Sequence, residues 1–201
     1  MRIYLLLASL LLIASCQQRV HDGTAQGDTA KPVSEYFEYN EQGVKAGGVR
    51  MVEIETPKGK FKVWTKRIGN NPRVKVLLLH GGPALTHEYM ECFESFLPKE
   101  GFEIYQYDQL GSYYSDQPTD SSLWTLDRFV DEVEQVRIAL GLNKDNFYLL
   151  GNSWGGILSM EYALKYQDNM KGLIVSNMTA SFEKYGSYNA KLRSQMRKGL
   201  V

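Results

Sequence analysis

The chain has 201 residues and a mass of 22.9 kDa, with 43% hydrophobic and 23% charged residues. That is enough apolar material for one domain-sized core, which excludes wholesale disorder. Twenty-three basic residues balance 23 acidic ones, so no long-range field gathers a polyanion, and no nucleic-acid partner is expected. Cys16 and Cys92 allow at most one disulfide, and His21, His80 and His87 show no ligand spacing, so no metal site is expected.

At the N-terminus, Arg2 precedes an apolar run from Ile3 to Ala14 that only Ser9 interrupts. A membrane-spanning helix needs about 20 apolar residues, so residues 1–15 read instead as a signal peptide. Leu12-Ile13-Ala14-Ser15-Cys16 resembles the lipobox of bacterial lipoproteins, where small residues precede a cysteine that is lipidated and becomes the mature N-terminus. The resemblance implies a lipid anchor on Cys16, a membrane partner, and a place in the cell envelope at a periplasmic or outer surface. An ordinary secretory signal with an incidental Cys16 is the alternative. Residues 16–34 are polar, include Gly23, Gly27 and Pro32, and read as a flexible tether with a reach of roughly 20–25 Å.

From Val49 onward strand and helix signals alternate. Val49–Thr56 and Lys60–Ile68 alternate apolar with polar residues around Pro57-Lys58-Gly59, which predicts a hairpin. Val74–Leu79 is nearly continuous in Val and Leu, as in a strand buried on both faces. Thr86–Leu97 reads as a helix stopped by Pro98 and Gly101, and Phe102–Tyr107 as the next strand. Leu126, Phe129, Val130, Val133, Val136 and Leu140 recur at spacings of three and four, predicting an amphipathic helix capped by Thr125 and stopped at Gly141. Phe147–Leu150 is a strand, Ile157–Tyr166 a helix and Leu173–Ser176 a strand. Phe182–Tyr188 reads as a loop, and Ala190–Lys198 as a basic helix. The alternation predicts an α/β fold, a mainly parallel sheet with helices on both faces.

Three motifs carry chemistry. Gly151-Asn152-Ser153-Trp154-Gly155 is a G-x-S-x-G pentapeptide, expected by chance about 0.07 times in a chain of this length. It lies between a predicted strand and a predicted helix, the context of a nucleophile elbow, with Ser153 as the nucleophile. His80-Gly81-Gly82-Pro83 follows a buried strand, where glycines let a backbone N–H point into a cleft. The N–H groups of Gly82 and Trp154 are the expected oxyanion donors. His80 is expected to hold its loop by hydrogen bonds rather than act as a base. His87 is expected on a helix face and Asp108 to tie down the loop Gln109–Ser115. Tyr113, Tyr114 and Trp124 are candidates to line an apolar pocket.

Together, HGGP at 80–83, YDQLGS at 107–112 and GNSWGG at 151–156 resemble the proline iminopeptidase branch of the α/β-hydrolase serine peptidases, over roughly residues 49–179. Ala84, where the family usually has glycine, and Tyr113 and Tyr114, where it has small residues, depart from the pattern. The resemblance implies an α/β-hydrolase core at 35–179 and the start of a helical cap at 180–201. It also implies a serine that releases an N-terminal, proline-like residue from a peptide with a free N-terminus, and no metal or organic cofactor. In this fold the triad runs Ser, then Asp or Glu, then His. No histidine follows Ser153, and Asp168 is the only later aspartate. The expectation is therefore the N-terminal portion of a longer enzyme, truncated before the last strands and inactive alone. A carboxylic-ester hydrolase of the same fold and a shortened, non-catalytic envelope binding protein are the alternatives.

Overall fold

A computed structural model describes residues 48–196. The expected signal peptide, Cys16 and the tether lie outside the described residues, as do the first residues of the expected core. Within 48–196 the chain forms β1 (Gly48–Thr56), β2 (Gly59–Ile68), β3 (Lys75–Leu79) and β4 (Glu103–Tyr107), then α1 (Leu126–Ala139) and β5 (Phe147–Asn152). α2 (Trp154–Tyr166), β6 (Gly172–Ser176) and α3 (Phe182–Ser194) complete it. The sheet order is β1-β2-β4-β3-β5-β6. β1 and β2 form the antiparallel hairpin and β2 pairs antiparallel with β4, while β4, β3, β5 and β6 run parallel.

Strand alternation divides the core in two. On one face Leu77, Leu79, Tyr105, Tyr107, Phe147 and Leu149 pack against α1 and α2 through Phe129, Val130, Val133, Val136, Leu158 and Tyr162. On the other, Val76, Leu78 and Ile104 pack with Met90, Phe93 and Leu97. β3 is buried along its whole length, because both faces are covered. Its first residue is nonetheless Lys75, which pairs with buried Glu103 at 3.3 Å. Burial pushes the Lys75 amine down to about 8 against the pull of Glu103. α1 begins as its sequence predicts: Thr125 Oγ1 accepts the Arg128 N–H at 3.4 Å, and Gly141 takes a φ of 66° just beyond the end.

Two segments differ from expectation. The predicted helix at Thr86–Leu97 is a 3-10 helix over Glu88–Ser95 followed by a second over Leu97–Glu100. Its inward residues, Met90 and Phe93, are spaced by three, the repeat of a 3-10 helix. Pro98 does not stop it but sits in the first turn of the second piece, where a missing N–H costs nothing. Phe182–Tyr188 is not a loop. It is the first half of α3, which starts at the Ser181 cap (Oγ accepting the Lys184 N–H at 3.3 Å) and ends at Ser194. The aromatic run with Gly186 hid that cap.

Among the described residues β6 forms one edge of the sheet. Its apolar Leu173, Ile174 and Val175 are 38%, 43% and 43% exposed, unlike the equivalent residues of β3 and β5. No helix of the described residues is long and apolar enough to cross a membrane.

Candidate active site

Ser153 is the single residue between β5 and α2, with φ 54° and ψ −117°. A non-glycine residue held there stores on the order of 1–3 kcal/mol. The surrounding backbone enforces it: the Ser153 N–H donates to Ser176 O at 3.0 Å, and the Ser153 carbonyl accepts from Gly156 N–H at 2.9 Å. The glycines have a steric reason. A Cβ on Gly151 would lie 2.1 Å from Gly155 O, and one on Gly155 would lie 2.1 Å from Leu79 O. Only hydrogen atoms fit where strand, turn and helix meet. Ser153 itself is exposed, and among the described residues its Oγ has no hydrogen-bond partner.

The loop after β3 faces this turn. His80 is fully buried; its Nδ1 is 2.8 Å from Gly81 O, and its Nε2 is 3.0 Å from the Gln109 N–H. An acceptor role for Nε2 places the proton on Nδ1, and burial pushes the ring's pKa down, so His80 is a neutral strut. Gln109 extends the strut by donating through Nε2 to His80 O at 3.1 Å and accepting the Trp154 indole N–H at 3.0 Å. The loops after β3 and β4 and the elbow are thereby one hydrogen-bonded unit. Gly82 is exposed with φ 125°, and a Cβ there would sit 2.7 Å from the nitrogens of Ala84 and Leu85.

Gly82, Ser153 and Trp154 share a cavity of about 590 Å³, closed in part by Ile157, Thr179 and Tyr185. The three expected site residues of the elbow and loop are brought together. A smaller, apolar cavity of about 270 Å³ adjoins it across Pro83 and Trp154, and is lined by Leu110, Trp124 and Phe129. Of the aromatic candidates, Trp124 lines this cavity. Tyr113 and Tyr114 line neither; their rings meet at 4.3 Å, and Tyr114, half-exposed, also lies against Trp64 and His87.

His87 is not on a helix face. It precedes the first 3-10 helix, buried, with its ring stacked on Trp64 at 4.1 Å and its Nδ1 2.8 Å from Asp108 Oδ1. Asp108 also accepts the His87 N–H at 2.8 Å and the Tyr114 N–H at 3.3 Å. Burial alone would raise the Asp108 carboxyl, but the His87 ring and these N–H groups outweigh it and hold the pKa below its ordinary value. A lowered folded pKa contributes stability that is present above the unfolded value of about 3.9 and lost as pH falls through the folded one. Asp108→Asn should therefore destabilise the fold by about 2 kcal/mol at neutral pH. The deficit should shrink below about pH 3.9, read by denaturant melts at several pH values. An equal deficit at every pH would mean that the charge contributes nothing.

Sequence reasoning missed Tyr89 and Asn152. The Tyr89 hydroxyl accepts the Gly81 N–H at 2.7 Å and donates to Asn152 Oδ1 at 2.9 Å. No local pattern signals this, because the contact depends on the turn of the 3-10 helix.

A family model described as the alpha/beta hydrolase fold matches residues 75–197. The chain is 72% identical over 148 residues to a proline iminopeptidase of Flavobacterium johnsoniae, covering 74% of this chain and 50% of that protein. It is 71% identical over 147 residues to one of Elizabethkingia meningoseptica, covering 73% and 49%. The crystal structure of a Mycobacterium smegmatis proline iminopeptidase superposes with a TM-score of 0.65 at 30% identity, over 75% of this chain and 50% of that one. The chain thus spans about half the length of the curated relatives it matches. Because the matched span opens at the first residue of β3 and runs past α3, it takes in the elbow and the parallel strands that carry it: the chain belongs to the α/β-hydrolase family.

Proposed function

We propose that the chain carries the nucleophile half of a serine aminopeptidase that releases an N-terminal residue, proline above all, from peptides. The observation that supports this best is the exposed Ser153 hydroxyl, held at a positive φ in a cavity it shares with Gly82 and Trp154. The relatives named proline iminopeptidases support the substrate class.

In this reading Ser153 Oγ attacks the carbonyl of the substrate's first residue. The carbonyl oxygen becomes an oxyanion and takes hydrogen bonds from the Gly82 and Trp154 N–H groups, each worth roughly 2.7–4 kcal/mol of barrier. The Trp154 N–H opens α2 and so has no partner within the helix. The base that took the Ser153 proton gives it to the departing nitrogen, so that collapse expels the shortened peptide as an amine and leaves an ester on Ser153. Water then hydrolyses the ester, freeing the first residue as a carboxylic acid and restoring the hydroxyl. No metal or organic cofactor takes part.

A serine hydroxyl is a weak nucleophile until a base takes its proton. His80 and His87 are both committed elsewhere, to Gln109 and Asp108. The reading therefore places the triad acid and histidine in the half of the relatives' length that this chain does not span, and gives residues 1–201 alone no turnover. It also places a lipid on Cys16 and the enzyme on the cell envelope.

Cells expressing the complete protein test both parts at once. Proline 2-naphthylamide should be cleaved in preference to a short acyl ester, and the activity should sediment with membranes. Ester cleavage alone would replace the peptidase reading with an esterase. Activity confined to the soluble fraction would overturn the anchor.

A further inference from the structure

The Tyr89 hydroxyl hydrogen-bonds to both halves of the proposed site. It accepts the N–H of Gly81, the residue before the proposed donor Gly82, and donates to Asn152, the residue before Ser153. Asn152 is itself held to the next strand, its Nδ2 lying 3.4 Å from Ser176 O and Oγ. The spacing is tight: a Cβ on Gly81 would meet Ser153 Cβ at 3.1 Å and Tyr89 Oη at 3.3 Å. One oxygen thus joins the loop after β3 to the turn after β5 at the point where donor and nucleophile must be held in register. The phenol can donate across neutral pH, because desolvation raises its pKa further above 10 against the opposing hydrogen bond from Gly81.

Resting on the serine-hydrolase reading, we propose that Tyr89 is a positioning residue that, through Asn152, sets the distance between the oxyanion donor at Gly82 and the Ser153 nucleophile. Tyr89 is 46% exposed, so removing its hydroxyl opens no core cavity, although the buried Gly81 N–H loses its partner. What it controls is geometry that matters only when the carbonyl becomes tetrahedral. Such an interaction acts on the transition state more than on the bound substrate. Small misplacements of a donor are costly, and losing one outright costs about 100- to 1,000-fold in kcat.

The test is Tyr89→Phe in the complete protein, assayed with proline 2-naphthylamide. We expect kcat to fall roughly 10- to 100-fold with KM changed less than about threefold. Affinity for prolyl boronic acid, which forms a tetrahedral adduct on serine, should fall in step with kcat, while inhibition by free proline stays unchanged. Asn152→Ala removes the other end of the same bridge and should give the same split; it carries the test if Tyr89→Phe does not fold. The double variant should lose less than the sum of the two single losses, since both break the shared Tyr89–Asn152 bond. Wild-type kcat in Tyr89→Phe, a loss expressed in KM, or additive losses in the double variant would each overturn the proposal. Loss of activity in Ser153→Ala alongside a normal Tyr89→Phe would leave the hydrolase reading standing and remove only this inference.

Discussion

Replacing Ser153 with alanine in the complete protein is expected to lower kcat by about 10⁴- to 10⁶-fold, the scale seen when a serine hydrolase loses its nucleophile. The fold should survive, because the side chain is exposed, its Oγ bonds to none of the described residues, and its backbone hydrogen bonds to Ser176 and Gly156 do not involve the hydroxyl. Melting temperature and kinetics on one preparation check both statements. A companion variant separates strain from chemistry. Ser153→Gly removes the Cβ that makes φ 54° unfavourable, and should be as inactive as the alanine variant yet more stable by about 1 kcal/mol. Residual turnover within about tenfold of wild type in Ser153→Ala would mean that another group is the nucleophile.

Gly155→Ala is expected to do the reverse, destroying the fold through one methyl group. Its Cβ would lie 2.1 Å from Leu79 O and 2.8 Å from His80 O. Both contacts are backbone, in the buried end of β3 and the start of the HGGP loop, so no side chain can swing aside. α2 would have to lift from the sheet, breaking its contacts through Leu158 and Tyr162 with the larger core. The cost should be about 3 kcal/mol or more, at the upper end for overpacking. Denaturant melts of the variant in the complete protein read it directly. Gly186→Ala on the solvent side of α3 is the contrast, since a Cβ there meets nothing within 4 Å. Equal effects of the two substitutions would show that packing at the elbow is not what demands glycine.

Much of this architecture is written locally. The Leu126–Leu140 stripe with Thr125 ahead of it specifies a helix because its period and cap agree. The β1–β2 hairpin follows from alternation around a turn. G-x-S-x-G is legible for a steric reason as well: the two glycines leave room for Gly155 O and Leu79 O, and the serine carries the positive φ between them. Local pattern is weak elsewhere. Eight residues with few inward side chains do not distinguish a 3-10 repeat from an α repeat, which is why the segment after His87 reads as an α-helix and folds as a 3-10 helix. The aromatic, glycine-containing start of α3 masked its Ser181 cap.

The sequence by itself determined the class of fold and the sharp bend that holds Ser153 between β5 and α2, because the alternation of strands and helices and the glycines of the bend are local patterns. Tertiary structure alone decided the partners: that His87 bonds Asp108 under Trp64, that Gln109 ties His80 to the Trp154 indole, and that Tyr89 spans from Gly81 to Asn152. Apart from the Gly81–Tyr89 bond, eight positions long, those contacts join residues 21 to 63 positions apart, and such pairs meet only once the parallel strands have brought their loops to one end of the sheet. Hydrogen bonding there is set by distances of a few tenths of an ångström, which no pattern of residue types along a chain encodes.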